Sequence, residues 1–491
     1  MSIHKHSDAD IIIIGLGPGN PEWLTRQAWD ILKSAGEIYL RTRQHPVTAG
    51  LPSTLTQYSF DDCYQEEDSF PDVYRRICEE IIRLGKRENG VLYGVPGDPW
   101  VSEATTGMIL ERAAEENLTA VVVPGLSFLE PTFASLGIDP LPQITLADAE
   151  ELAETHFPPF PPDTPVLIGQ VYSRLVASHL KLVLMEVYPD KHDIILVHDA
   201  GLPCQSLEAL PLYELDRSTR IGLRTSLYLP PLEEGSSLES FQEIIARLRA
   251  PGGCPWDREQ DHQSLRPNLL EETYEALAAI DADDPQAMAE EFGDLLLQIV
   301  LQAQIASEYG EFTMRDVVWG IYTKIVHRHP HVFEDLDLEG AREVIANWEK
   351  LKAQERREQG NESKGLLDGV PLDLPALSQA ETYQRRAARV GFDWKELEGV
   401  LDKITEEVGE FQAAHKKEEQ VAELGDLLFA VVNLARWRGI DAESALREAN
   451  LRFRSRFRWL EQKARGRGRE LSDMSLEELD LLWEEAKQGA S

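Results

Sequence analysis

The stretch KITEEVGEFQAAHKKEEQVAELGDLLF, residues 403–429, poses a packing problem whose solution decides the fold. Glu406, Glu407 and Glu410 crowd one helical turn, and Glu423 and Asp426 crowd another. Like charges three or four residues apart each cost a helix about 0.2–0.5 kcal/mol. Leu427, Leu428 and Phe429 then press the cluster toward a core, where unpaired charge costs more. Positions i and i+3 share a helical face, so Glu407 and Glu410 point the same way, as do Glu423 and Asp426. The link between the two pairs is short, which predicts an antiparallel helical hairpin that brings four carboxylates together. Such a set suits a hard dication, because Mg²⁺ takes oxygen ligands and keeps several waters. The apolar neighbours would then hold the ligands' backbone on a packed helix.

The pattern occurs twice. LLEETYEAL (269–277) followed by AEEFGDLLLQIVLQAQIA (289–306) supplies Glu271, Glu272, Glu275, Glu291 and Asp294 in the same order. Further on, YTKIVHRHPHVF (322–333) parallels NLRFRSRFRWL (450–460), and Trp348 parallels Trp483. A solvated acidic helix face is common in a negative chain, but a paired, repeated EExxE and ExxD is not. From about Leu238 the periodicity is helical throughout. The polar run AQERREQGNESKG (353–365), followed by Pro371 and Pro375, separates the two helical blocks.

Upstream, to about Pro231, strand and helix alternate. IIIIGLGPG, VLYGVPGDP, TAVVVPGLS, PVLIGQVY and DIILVHDAG are β-branched or apolar runs that end in Gly, Pro or polar residues. They predict parallel strands with crossover helices and ligands at the carboxyl strand ends. HFPPFPPDTP (156–165) has the composition of a linker between two α/β lobes. The expected fold is multidomain, with a two-lobed α/β domain followed by two all-α repeats. Its expected bounds are 1–232, 233–355, a linker at 356–376, and 377–491.

Composition narrows the function. A formal charge of -37 over 491 residues argues against a nucleic-acid or anionic-membrane surface, since phosphate backbones bind Lys and Arg clusters. Cys63, Cys78, Cys204 and Cys254 lie far apart without a CxxC pair, as expected for free thiols in the cytoplasm. The early apolar run Ile11 to Ile14 is too short to span a bilayer. A carboxylate-bound metal invites a phosphate substrate. Lys403 lies one turn before Glu407, and Arg452 and Arg456 lie four apart. Spacing alone fits them equally as phosphate cations or as surface partners for acids. Trp483 likewise fits a base-stacking platform or a core residue.

EExxE followed by ExxD in an all-α setting resembles the MazG-type nucleoside triphosphate pyrophosphohydrolases. GGCPWDREQDHQSLRPNLLEETYE (252–275) resembles the entry to their first repeat. The resemblance implies Mg²⁺-dependent cleavage of a nucleoside triphosphate to the monophosphate and pyrophosphate. It makes Glu407, Glu410, Glu423 and Asp426 the catalytic metal ligands, and Lys403, Arg452, Arg456 and Trp483 the substrate contacts. The first repeat keeps Glu272, Glu275, Glu291 and Asp294 as metal ligands, with Lys324 and Arg328 further on. It has Asn268 in place of Lys403 and Leu301 in place of Asn433, so the second repeat is expected to be the main site. Glu419 stands where the family can carry a basic residue, with Lys416 and Lys417 beside it.

GLGPGN lacks the third Gly of a dinucleotide fingerprint, having Asn20 there, and Pro18 removes an N–H. GLGPGNPEWLT, GVPGDPWV and VVPGLSFLEPTFASLGI together instead resemble the tetrapyrrole (corrin/porphyrin) methylases. That resemblance implies an S-adenosylmethionine cleft lined by Pro18, Pro96, Gly97, Asp98, Val101, Ser127, Phe128 and Gln170. The two resemblances in one chain match bacterial fusions of the YabN type. Two alternatives are a nucleotide- and S-adenosylmethionine-binding regulatory module, and a methyltransferase with a helical dimerisation scaffold. Nucleoside triphosphates are the expected partners, nucleic acid and membrane are not, and a homo-oligomer, a dimer, is expected because such hairpins bury apolar faces by pairing.

Overall fold

The computed structural model describes residues 9–67, 69–334, 336–338, 340–358 and 365–489. It divides into two compact units, Met1–Val317 and Val318–Ser491.

The first unit begins with β1 (Ile11–Gly15), β2 (Glu37–Leu40), β3 (Thr56–Ser59), β4 (Val91–Val95) and β5 (Ala120–Val123). They form one sheet in the order β3-β2-β4-β1-β5, parallel throughout. Ile11, Ile13 and Ile14 of β1 are fully buried. Apolar clusters cover both faces of the sheet, as a parallel sheet flanked by helices requires.

A second sheet holds β6 (Thr145–Asp148), β7 (Val166–Gly169), β8 (Asp193–His198), β9 (Ser206–Pro211) and β10 (Thr225–Leu229), in the order β6-β7-β10-β8-β9. Here the expectation of parallel strands fails: only β6 and β7 run parallel, while β10 is antiparallel to both its neighbours and β8 to β9. The physical reason is the short 199–205 connection, which has no room for a crossover helix and folds β9 straight back on β8. The expected inter-lobe linker at 156–165 is also misplaced. Because β6 already belongs to the second sheet, this segment lies inside the second lobe. Tyr188 Oη and Leu232 N both donate to Pro162 O there.

After β10, Ser237 caps a helix at Leu238–Arg249. Ser237 and Ser240 donate to Asp163 Oδ2 at 2.8 and 2.5 Å, which ties this helix back across the expected boundary at 232. The first acidic hairpin is α1 (Arg266–Asp281) and α2 (Pro285–Tyr309), with Asp284 capping α2. Next come α3 (Met314–Arg328) and α4 (Ala341–Glu358). Helix α4 runs through the first residues of the expected 356–376 linker, and 359–364 lie outside the described residues. The second repeat is α5 (Ala376–Arg389), α6 (Leu397–Ala413), α7 (Lys417–Trp437), α8 (Ala442–Gly466) and α9 (Leu476–Gly489). Residues 414–416 turn α6 into α7.

Candidate active site and methylase-like cleft

The helix geometry solves the packing problem posed by residues 403–429. Glu407 and Glu410 from α6 and Glu423 from α7 place carboxylate oxygens within 4.8 Å of one another. Glu407 is 4% exposed. Lys403 Nζ lies 2.7 Å from its Oε1 and 2.9 Å from Glu406 Oε1. The hydrogen bonds to Glu407 and Glu406 raise the Lys403 ammonium pKa above its ordinary range. Burial raises the Glu423 carboxyl above its ordinary value, and the charges of Glu410, Glu407 and Asp426 add to that. Asp426 lies outside the triplet of converging oxygens but within its field.

The first repeat builds the same arrangement from Glu272, Glu275 and Glu291. Burial raises the Glu272 carboxyl, as do Asp294, Glu275, Glu271 and Glu291. Glu291 is raised by burial, then by Glu275, Asp294 and Glu290. Asn268 supplies no cation where the second repeat has Lys403. Each triplet is therefore a set of hard oxygen donors that repel one another, the donor chemistry that fits Mg²⁺.

These raised carboxyls carry a pH prediction. A raised folded-state pKa means that the folded chain holds the proton more tightly than the unfolded chain. The resulting stability is present below the unfolded pKa and is lost as pH rises through the folded one. Metal binding displaces those protons. The gain in Tm on adding Mg²⁺ should therefore grow between about pH 4 and about pH 7. Thermal unfolding with Mg²⁺ or chelator checks this; a gain independent of pH would place the metal elsewhere.

The other expected residues lie on the later helices of each repeat. Arg456 sits over the Trp483 ring at 6.0 Å, and Phe453 packs on the same ring at 5.2 Å. Trp483 is half-buried against a small cluster containing Leu460 and Leu482. Arg328 repeats the motif in the first copy, 5.7 Å over the Trp348 ring and forked onto Glu355. Arg452 instead pairs with Glu448 on an exposed turn. Glu419 pairs with Lys416 and accepts from its N–H, which caps α7 and gives this acid a structural task. Asn433 is 3% exposed and accepts from Arg436, which pairs with Asp393. The sequence marks Asn433 only by its contrast with Leu301, and its link through Arg436 to distant Asp393 leaves no local signal.

The carboxyl strand ends of the first lobe meet by backbone. Gly17 and Gly97 exchange N–H···O bonds of 3.1 and 2.8 Å. Asp98 accepts from Trp100 N at 2.9 Å and from Gly125 N at 3.0 Å, which stitches the second loop to the third. Ser127 is buried and donates to Glu130. The remaining expected residues, Pro18, Pro96, Gly97, Val101, Phe128 and Gln170, line a cleft of about 600 Å³. Gln170, at the end of β7, adopts φ +61°, a strained conformation of the kind that concentrates at ligand sites. The same cleft is lined by residues that no motif announced. Arg41 pairs with nearly buried Glu103 and donates to Tyr64 Oη at 2.9 Å. Burial and the nearby Arg224 guanidinium push His45 down to about 4, so its imidazole is neutral at pH 7. A cleft of this size, lined by Pro18, Pro96, Gly97 and Phe128 together with Arg41 and Arg224, is of the kind that takes a small-molecule ligand.

Residues 10–216 match the family model Tetrapyrrole (Corrin/Porphyrin) Methylases, residues 260–333 the MazG nucleotide pyrophosphohydrolase domain, and residues 375–453 Phosphoribosyl-ATP pyrophosphohydrolase. The chain is 42% identical to the uncharacterized protein YabN of Bacillus subtilis (strain 168), covering 97% of this chain and 98% of that one. The chain belongs to the YabN family. As in that family, a methylase-like α/β region precedes a MazG-like helical region. The helical half is also 45% identical to the nucleoside triphosphate pyrophosphohydrolase/pyrophosphatase MazG of Thermotoga maritima, over 52% of this chain and 98% of the relative. It is 43% identical to the nucleoside triphosphate pyrophosphohydrolase of Escherichia coli (strain K12), again over 52% and 98%. Among the described residues no helix is long and apolar enough to cross a membrane.

Proposed function

We propose that the chain cleaves nucleoside triphosphates to the monophosphate and pyrophosphate with Mg²⁺, mainly at the second repeat. The observation that carries this reading is the convergence of Glu407, Glu410 and Glu423 beside Lys403. Glu407, Glu410 and Glu423 would hold the metal, with Asp426 adding charge. When bound, the metal would neutralise phosphate charge and polarise the phosphorus. Lys403 positions the buried Glu407 and offers a cation beside the phosphate chain. Arg456 and Trp483 present a guanidinium and a ring edge for phosphate and base. A carboxylate oxygen left free of the cation orients the attacking water and takes its proton. The two pyrophosphohydrolase relatives support this reaction class. The test is pyrophosphate release from a panel of nucleoside triphosphates with and without Mg²⁺. No release from any of them would leave a nucleotide-binding module.

We further propose that the methylase-like cleft binds S-adenosylmethionine, with the six lining residues named above as its contacts and with Asp98 and Ser127 bracing the loops behind them. Segments 1–232 and 233–491 are proposed as separately folding domains, with the Ser237 and Ser240 bonds to Asp163 crossing between them. Expressing each alone checks this, with two cooperative thermal transitions as the expected result.

A second copy of the chain is proposed to cover α7. Val421, Leu424, Leu428, Phe429 and Val431 each expose 45–61% of their surface, and patches of this kind mark association sites. Light scattering should give a homo-oligomer, and Leu424→Glu should shift it toward monomer. A monomeric wild type would overturn this.

A further inference from the structure

A buried hydrogen-bonded chain runs through the second sheet, and neither proposed activity uses it. His198 ends β8 and is 3% exposed. Thr225 opens β10 directly opposite it in register, and Glu208 lies on the neighbouring β9. His198 Nε2 is 3.1 Å from Glu208 Oε2, and His198 Nδ1 is 3.1 Å from Thr225 Oγ1. Ser218 Oγ donates to Glu208 Oε2 at 2.7 Å, and Gly222 N donates to Thr225 Oγ1 at 2.9 Å. Thr225 also lines the 600 Å³ cleft together with Gln170. The network therefore has one end in the cleft and the other at a carboxylate.

The direction of its hydrogen bonds follows from donor and acceptor capacity. An ionised carboxylate only accepts, so His198 Nε2 carries the proton that it shares with Glu208. In the neutral imidazole Nδ1 is then the acceptor, and the Thr225 hydroxyl must donate to it. Gly222 N–H occupies one lone pair of Thr225 Oγ1. The other lone pair is left for a donor in the cleft. A proton entering at Thr225 can move to His198, where the imidazolium it forms faces Glu208.

We propose that Thr225, His198 and Glu208 form a proton relay that equips the cleft to methylate an acceptor with an O–H or N–H nucleophile, such as a hydroxyl, phenol or amide. The proposal rests on the S-adenosylmethionine reading of the cleft. The acceptor atom gains the methyl carbon as the C–S bond breaks and leaves its electron pair on sulfur. The acceptor's proton passes to Thr225 Oγ1 while Thr225's own proton moves to His198 Nδ1. A carboxylate or tertiary amine has no proton to lose and would gain nothing from the relay. Thr225 is the catalytic residue; His198 and Glu208 act through it.

Methanesulfonyl fluoride tests the activated hydroxyl without knowledge of the acceptor. On the full chain, Thr225 Oγ1 should displace fluoride and form a sulfonate ester, its proton passing to His198, and peptide mass spectrometry would locate the adduct. Labelling should be absent in Thr225→Val, retained in Thr225→Ser, and at least about tenfold slower in His198→Asn and Glu208→Gln at an unchanged Tm, a loss equivalent to about 1.4 kcal/mol. S-adenosylhomocysteine should protect Thr225. Labelling without protection would leave the relay standing and overturn the cofactor reading. No adduct at Thr225 in the wild type, or an undiminished rate in His198→Asn, would overturn the relay.

Discussion

Replacing Glu410 with Gln should lower pyrophosphate release by about two orders of magnitude or more, about 2.7 kcal/mol in barrier terms. The substitution keeps the side chain's shape and one ligand oxygen but removes a negative charge from the triplet with Glu407 and Glu423. Losing the metal removes both charge stabilisation and substrate positioning. The fold should survive, because the metal-free carboxylates repel one another, and burial together with that repulsion raises Glu423. Glu275→Gln in the first repeat should cost much less. That repeat forms an equally close triplet but has Asn268 where Lys403 braces Glu407. Equal losses from the two substitutions would remove the second repeat from its place as main site. Unchanged hydrolysis in Glu410→Gln would end the metal-site reading.

The largest structural effect is expected from Gly125→Ala. A Cβ at 125 would lie 2.3 Å from Gly97 O and 3.0 Å from both the carbonyl carbon and Cα of Gly15. All three contacts are backbone, so no side chain can swing away and the loops must part. Overpacking of this kind costs about 1–3 kcal/mol, and the Asp98 bond to Gly125 N is lost with it. Calorimetry should show S-adenosylhomocysteine affinity falling by at least about tenfold, or 1.4 kcal/mol, alongside a lower Tm. Gly107→Ala is the control, since nothing lies within 4 Å of a Cβ there and Ala favours its helix. Wild-type affinity in Gly125→Ala would detach the loop contact from ligand binding.

Much of the architecture was legible before any coordinates. Like charges at i,i+3 spacing pointed to a candidate cation site, and their recurrence at Glu272 and Glu407 announced two helical repeats. Alternating apolar runs ending in Gly located the first sheet and its strand-end loops. These signals are local: helix periodicity, turn residues and like-charge spacing act over a few residues, so the order of the letters carries them. The short 199–205 connection accounts for β9, but the direction of β10 depends on which strands pair, and its entry between β7 and β8 leaves no local trace. The 156–165 segment was misplaced for the same reason, since only the pairing of β6 with β7 shows where one lobe ends.

Residue roles divide along the same line. Spacing alone left Arg452, Arg456 and Trp483 open to two readings; the tertiary structure puts Arg456 on Trp483 and Arg452 on Glu448. Glu419 departed from the family pattern for a reason only the α7 cap reveals. The Thr225–His198–Glu208 chain joins three strands, and no window of sequence contains it. By itself the sequence determined which reactive side chains the chain holds and at what local spacing, because side-chain type and local period are written residue by residue. The tertiary structure alone decided which of those side chains meet, because burial and strand pairing bring together groups that lie far apart along the chain.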